Sequence, residues 1–342
     1  MSAKKFIFLL SMVCAAIPVF GVAVYEPFNY SIGSDLAGQG GWVLTAGTTS
    51  PKVVAGSLAV PGLQPVSEGN SIAFGNSQME VRRFMKNEAE VFFTPGQEFN
   101  GQYWYSLAFK VTDLGSLNTN GDFIAAFSST NQTTEYGGRL YLRKDPLGAT
   151  KGYNIGLSKA SSNALDITWS TNVYTVGQTN FVVCRYRTGS GSDPIEDTLL
   201  WINPDPSTYS AAKGSEPPPT LTASGGLNLL LAVGQIVLHQ ASASPGLGSI
   251  VVDALRVEGQ WANVTPIPLT MSITQTNGTD VYMSWGGHQN VFIQQATNLA
   301  SPVTWSTLNS FPANGQINNW TVTNAIADPV PKFFRLIRWY AE

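Results

Sequence analysis

Arg139, Tyr141 and Arg143 alternate with Leu140 and Leu142 in the run RLYLRKD. Side chains of an extended strand point alternately to opposite faces, so both guanidiniums and the phenol share one side and the leucines take the other. The run FVVCRYR repeats the device, with Arg185 and Arg187 opposite Cys184 and Tyr186. In YWYSLAFKV an apolar side of Tyr105, Leu107 and Phe109 leaves Trp104, Ser106 and Lys110 on the other. Saccharides in water are held by flat aromatic platforms and a few directed hydrogen bonds, and the planar Arg fork also matches carboxylates and sulfates. Trp104, Arg139, Tyr141, Arg143, Arg185 and Arg187 are therefore the candidate ligand-binding residues, provided their strands line one concave sheet. The alternative is a solvated outer sheet whose arginines pair with Asp122, Asp145 or Asp197.

Catalytic constellations are incomplete. The segment Gly148-Ala-Thr-Lys-Gly does not fit a phosphate-binding loop, and no Gly-x-Ser-x-Gly nucleophile elbow occurs. His239 and His288 are the only histidines, a poor stock for a histidine metal site or a serine triad. Glycoside hydrolysis needs two carboxyls roughly 5–9.5 Å apart. Glu88 and Glu90 come nearest, with same-face spacing that a solvated strand edge also explains, while the adjacent Glu196 and Asp197 point to opposite faces if extended. Elimination on a uronic acid needs a cation to neutralise the carboxylate and a His or Tyr to handle protons. Arg82, Arg83, Gln235, His239 and Tyr141 are the raw materials for it. No catalytic residue is assigned.

The elements that must position these groups are strands. Short apolar runs recur between Gly, Asn, Pro and Ser clusters, and helical periodicity is nearly absent. Runs from SLAVPGL (57–63) through SIVVDALRVEG fit a large two-sheet jelly roll over residues 24–264. Pro266 and Pro268 in TPIPLT mark a linker, 265–270. Six or seven further strands in 271–342 fit a small immunoglobulin- or fibronectin-like β-sandwich. The expected fold class is all-β.

Residues 1–23 have the order of a secretory signal peptide: Lys4 and Lys5, an apolar run interrupted by Pro18, then small residues up to Ala23. The run is too short for a membrane anchor, so the mature chain is expected to carry no membrane span and to be exported, whether extracellular, on the cell surface or periplasmic. Removing the signal leaves Cys184 as the only cysteine, which excludes an internal disulfide and a cysteine zinc site. Among 342 residues only 12% are charged, with a net charge of -3, so no nucleic-acid partner is expected.

AVYEPFNYSIGSDLAGQGGW, LLWINPDPS and VDALRVEGQWANVTP resemble exported bacterial proteins with a laminin-G-like, concanavalin-A-like jelly roll. VFIQQATNLASPVTWSTL and FFRLIR resemble the small β-sandwich often appended to them. The resemblance covers nearly the whole mature chain and marks architecture. It implies non-catalytic binding of extracellular polysaccharide, or adhesion; a polysaccharide lyase or glycoside hydrolase and a structural envelope protein are the alternatives. It also implies a structural calcium between Glu26, near the first strand, and Asp253, in the last. Asp253 capping a turn, or pairing with Arg256, is the competing reading of that buried acid.

Overall fold

The fold was analysed in a computed structural model. It describes residues 24–338 apart from 65–68, 75–77, 86–100, 116, 130–134, 149–151, 189–195, 227, 229–232, 241–247, 269–270, 277, 287–290, 300–302, 312–316, 324 and 326–331. The expected signal peptide, Glu88 and Glu90 lie outside the described residues. Two compact units divide the chain, one ending at Pro268 and the other running from Leu269 to Glu342.

The first unit opens with β1 (Val24–Glu26), β2 (Trp42–Gly47), β3 (Lys52–Val54), β4 (Ser71–Phe74) and β5 (Met79–Phe84). Then come β6 (Gln102–Asp113), β7 (Asp122–Ser129), β8 (Tyr136–Lys144), β9 (Gly152–Ser158), β10 (Thr168–Trp169) and β11 (Tyr174–Thr175). It closes with β12 (Thr179–Arg187), β13 (Asp197–Ile202), β14 (Leu221–Ala223), β15 (Val233–Gln240), β16 (Ser249–Glu258) and the short helix α1 (Trp261–Val264). These strands form two large antiparallel sheets. Sheet A runs β14-β13-β12-β6-β16-β4-β3, with β1 also on β16; sheet B runs β10-β9-β8-β7-β15-β5-β2, with β11 also on β9. The fold class is all-β, a two-sheet jelly roll.

One continuous core fills the space between the sheets. Tyr105, Leu107 and Phe109 enter it from β6, and Leu140 and Leu142 from β8, as alternation requires. Cys184 is buried in the same core, where loss of solvation pushes its thiol up to about 12, so it behaves as a small hydrophobe.

The outer face of sheet A is covered around Trp104 and Trp201. Residues 57–63, expected as a strand, run over it without pairing, because Pro61 lacks a donor and Gly62 adopts φ +82°. Leu58, Val60 and Leu63 pack there against Trp104, Trp201, Tyr209 and the Trp261 of α1. The first residues of the expected linker belong to this cover. Thr265 is buried, the Pro266 carbonyl accepts from Gln64 N, and Ile267 N donates to Ser210 Oγ.

The second unit contains β17 (Met271–Thr276), β18 (Asp280–Gly286), β19 (Val291–Ala296), β20 (Ser306–Phe311), β21 (Ile317–Val322) and β22 (Phe333–Arg338). They form two three-stranded sheets, β17-β18-β21 and β20-β19-β22. Val281, Met283 and Trp285 of one meet Val291, Ile293 and Leu336 of the other in a small core. Among the described residues no helix is long and apolar enough to cross a membrane.

Candidate functional site

The six ligand-binding candidates divide between the two sheets. Trp104, Arg185 and Arg187 lie on β6 and β12 of sheet A, and Arg139, Tyr141 and Arg143 lie on β8 of sheet B. They do not form one surface. Trp104 is 3% exposed, stacked on Trp201 at 5.3 Å and met edge-on by Trp261 at 6.1 Å. It is a core residue of the outer cover, not a sugar platform. Arg185 and Arg187 both pair with Asp197, at 2.5 and 2.7 Å, which is the alternative arrangement for these two arginines. Alternation placed each side chain on the right face of its strand; it carried no information about which strands were neighbours.

The outer face of sheet B gathers the polar groups. The registers pair His239 with Glu80, Val237 with Arg82, Phe123 with Tyr141, Tyr141 with Gly156, and Gly156 with Trp169. A row of side chains therefore crosses the strands from β5 to β10. Exposed Val43 and Phe84 lie toward the β2–β5 end of the face.

Glu80 is the hub. Its Oε1 accepts from Arg82 Nε at 2.7 Å and Thr45 Oγ1 at 2.8 Å. Its Oε2 accepts from the Tyr136 hydroxyl at 2.5 Å and lies 3.3 Å from His239 Nδ1. Burial alone would raise this carboxyl, but the bonds from His239, Tyr136, Arg82 and Thr45 outweigh it and hold the group at about 2. Tyr136 moves the other way, pushed up to about 12 by burial and by its bond to the Glu80 carboxylate. Arg82 also donates to Ser128 Oγ at 3.2 Å, Gln235 Oε1 at 3.3 Å and Tyr136 Oη at 3.2 Å. The His239 ring lies flat on Phe123, 4.0 Å between centroids, with Nε2 3.8 Å from Asp122 Oδ1.

Beside this cluster stands Arg139. It is 7% exposed, and its guanidinium carbon lies 5.3 Å from the Phe123 ring centre and 5.0 Å from that of Tyr136. Its hydrogen bonds are long, 3.4 Å to the Tyr136 carbonyl and 3.5 Å to the Tyr141 hydroxyl, and among the described residues no carboxylate lies within 4.0 Å of it. Burial raises the Tyr141 phenol, and Arg139 partly offsets this. Arg143 stacks on Trp169, 4.4 Å from the ring centre, and donates from Nε to Asn154 Oδ1 at 3.3 Å.

Of the elimination materials, the fold brings Arg82, Gln235, His239 and Tyr141 onto this one face. Arg83, one residue on, points to the other side and pairs with Glu26 at 2.6 Å. Sequence reasoning missed Glu80, Tyr136 and Trp169. Alternation in MEVRRF could have placed Glu80 with Arg82, opposite Met79 and Val81. Trp169 gives no such signal, because β10 has only two residues.

Glu26 and Asp253 do not fit a shared calcium. Glu26 follows Val24 on the inner side of β1, where it accepts from Phe28 N, Tyr30 Oη, Trp42 Nε1 and Arg83 Nη1. Asp253 lies on the outer side of β16, between the core residue Val252 and a bulge at Ala254, which adopts φ +52°. Its Oδ2 accepts from Ser57 Oγ at 2.5 Å and Leu58 N at 2.6 Å, and its Oδ1 from Ala254 N at 2.6 Å. It holds the covering loop to the last strand, the turn-capping arrangement. Among the described residues no group of three or more His, Cys, Asp or Glu is placed to hold a metal.

No protein-family model matches the chain. No curated protein matches it in sequence either. Solved structures are similar in fold. An alginate lyase, Aly36B, in complex with an alginate tetrasaccharide aligns at 12% identity and a TM-score of 0.37, covering 69% of this chain and 96% of that one. The cellulose-induced protein Cip1 aligns at 10% identity and 0.40, covering 65% and 93%. The carbohydrate recognition domain of Emp47p aligns at 10% identity and 0.33, covering 67% and 95%.

Proposed function

We propose that this chain is an exported, non-catalytic binder of acidic extracellular polysaccharide, and that the saccharide lies on the outer face of sheet B. The observation that carries the reading is Arg139, a buried guanidinium with no carboxylate partner among the described residues, in a face where the neighbouring buried Arg82 is matched to Glu80. A buried cation without an anion is costly, and a uronic carboxylate or a sulfate would supply one. Tyr141 and Tyr136 flank it, and His239 stacks on the Phe123 ring that Arg139 also meets, which supplies aromatic and hydrogen-bonding groups that orient a sugar. On sheet A the tryptophan cluster occupies the outer face around Trp104, and Arg185 and Arg187 are already paired with Asp197.

A second reading is elimination on a uronic acid, favoured by the convergence of Arg82, Gln235, His239 and Tyr141. The binding reading is preferred because Arg82, the cation of that set, is already paired with Glu80, and His239 is held between Glu80 and the Phe123 ring, whereas Arg139 has no carboxylate partner among the described residues.

The test is retention of the purified chain on uronic, sulfated and neutral polysaccharides, with each mixture assayed for released sugars. Retention on acidic glycans alone, lost in Arg139→Met but not in Arg185→Ala, supports the reading. Release of unsaturated ends replaces it with the lyase. No retention on any acidic glycan refutes it.

A further inference from the structure

We infer that Arg143 and Trp169 form a separate subsite at the β8–β10 end of this face, which reads the acidic group of a sugar unit lying beyond the central cluster. The inference rests on the proposed saccharide-binding role of the face and specifies how the charge is read.

Trp169 is seated where only glycines leave room for it. A Cβ on Gly156 would lie 2.5 Å from Trp169 Cε3, and one on Gly121 would lie 2.7 Å from its Cη2. Tyr141 meets the indole edge-on at 6.1 Å and 75°. The ring is thus pressed onto the sheet, and the guanidinium of Arg143 stacks on it at 4.4 Å. Asn154 fixes the fork from one side through Nε, and is itself buried and anchored by its Nδ2 donating to the Asn172 carbonyl at 3.0 Å.

Arg143 is half-buried and has no carboxylate within 4.0 Å among the described residues. Burial lowers its guanidinium from the ordinary value, and Asp145, acting only at longer range, partly offsets this. The Nη groups of this stacked, oriented fork make no hydrogen bond to any described residue. A guanidinium held flat in this way loses little freedom when it grips a carboxylate or sulfate in bidentate fashion.

Position sets the length of the ligand. Arg143 lies four residues along β8 from Arg139, about 13 Å at about 3.3 Å each, and Trp169 lies two strands beyond β8. Only an oligosaccharide of several units occupies both places. The acid contact at Arg143 therefore belongs to long ligands and is absent from short ones.

The test is the affinity of the purified chain for uronic oligosaccharides from disaccharide to hexasaccharide, with neutral and sulfated hexasaccharides in parallel. Arg143→Gln should weaken hexasaccharide binding about tenfold or more, as expected for loss of a charge-assisted bond, and leave disaccharide binding unchanged. Gly156→Ala, which displaces Trp169, should reproduce the loss. An Arg143 effect seen equally with uronic and sulfated ligands supports a general anion site, and one confined to uronic ligands assigns it to carboxylates. Wild-type binding that Arg143→Gln leaves intact at every length, or an equal effect on a neutral hexasaccharide, overturns the subsite alone. No binding of any acidic ligand by the wild type overturns the proposed function with it.

Discussion

Replacing Asp253 by asparagine sets two physical effects on one carboxylate against each other. Asp253 is 0% exposed, and its burial favours the neutral acid. Its three short bonds from Ser57, Leu58 and Ala254 favour the anion, as does the charge of Arg256. Burial wins, and the carboxyl is raised from 3.8 to about 6. At about 1.36 kcal/mol per unit, the difference between folded and unfolded chain is about 3 kcal/mol. Because the folded pKa is the higher one, this stability is fully present below about pH 4 and is lost as pH rises through 6. The asparagine side chain of the variant would not titrate, and its amide NH₂ would face a donor, a loss of about 1–3 kcal/mol. Wild type should therefore exceed Asp253→Asn in stability at pH 4, and the gap should shrink by about 3 kcal/mol, closing or reversing, by pH 7. Urea unfolding of both chains at several pH values across this range measures the gap. A gap that stays constant, or widens toward neutral pH, would refute the reasoning: the three donors would then outweigh burial and hold the carboxyl at or below its ordinary value.

Trp104→Ala should destabilise the first unit by about 3–5 kcal/mol in urea, because it opens a cavity among Trp201, Trp261 and Leu63; the folded fraction should bind polysaccharide unchanged, and a selective loss of binding would restore Trp104 as a platform. Arg185→Ala breaks a pair already neutralised by Asp197, and it should leave glycan affinity within twofold and shift stability by no more than about 1 kcal/mol in calorimetry. Cys184 should resist a thiol reagent in the native chain and react on unfolding, since burial holds its thiol at about 12; rapid labelling of the native chain would contradict the core placement.

Sequence by itself determined which side of a strand each residue occupies. Period-two alternation separates Arg139, Tyr141 and Arg143 from Leu140 and Leu142, and Tyr105, Leu107 and Phe109 from Trp104, because the pleat admits no other arrangement once the segment is extended. The all-β class was legible for a similarly local reason, whereas residues 265–267, expected as linker, are packed into the cover of sheet A. Alternation broke down at an irregularity inside β8: Gly138, at φ +63°, separates Tyr136 from the alternating run, so its place beside Glu80 was not readable.

Tertiary structure decided which faces meet one another and which meet solvent. Strands β6 and β12 lie in sheet A, where residues 57–63 and α1 bury Trp104, whereas β8 lies in sheet B. Glu80 meets His239 only because β5 pairs with β15, bringing together residues 159 positions apart. Alternation is a property of one strand, while a site is a property of neighbouring strands. The order of strands in a sheet is set by burial of the whole core and by long-range pairing, and neither is written in the spacing of any single run.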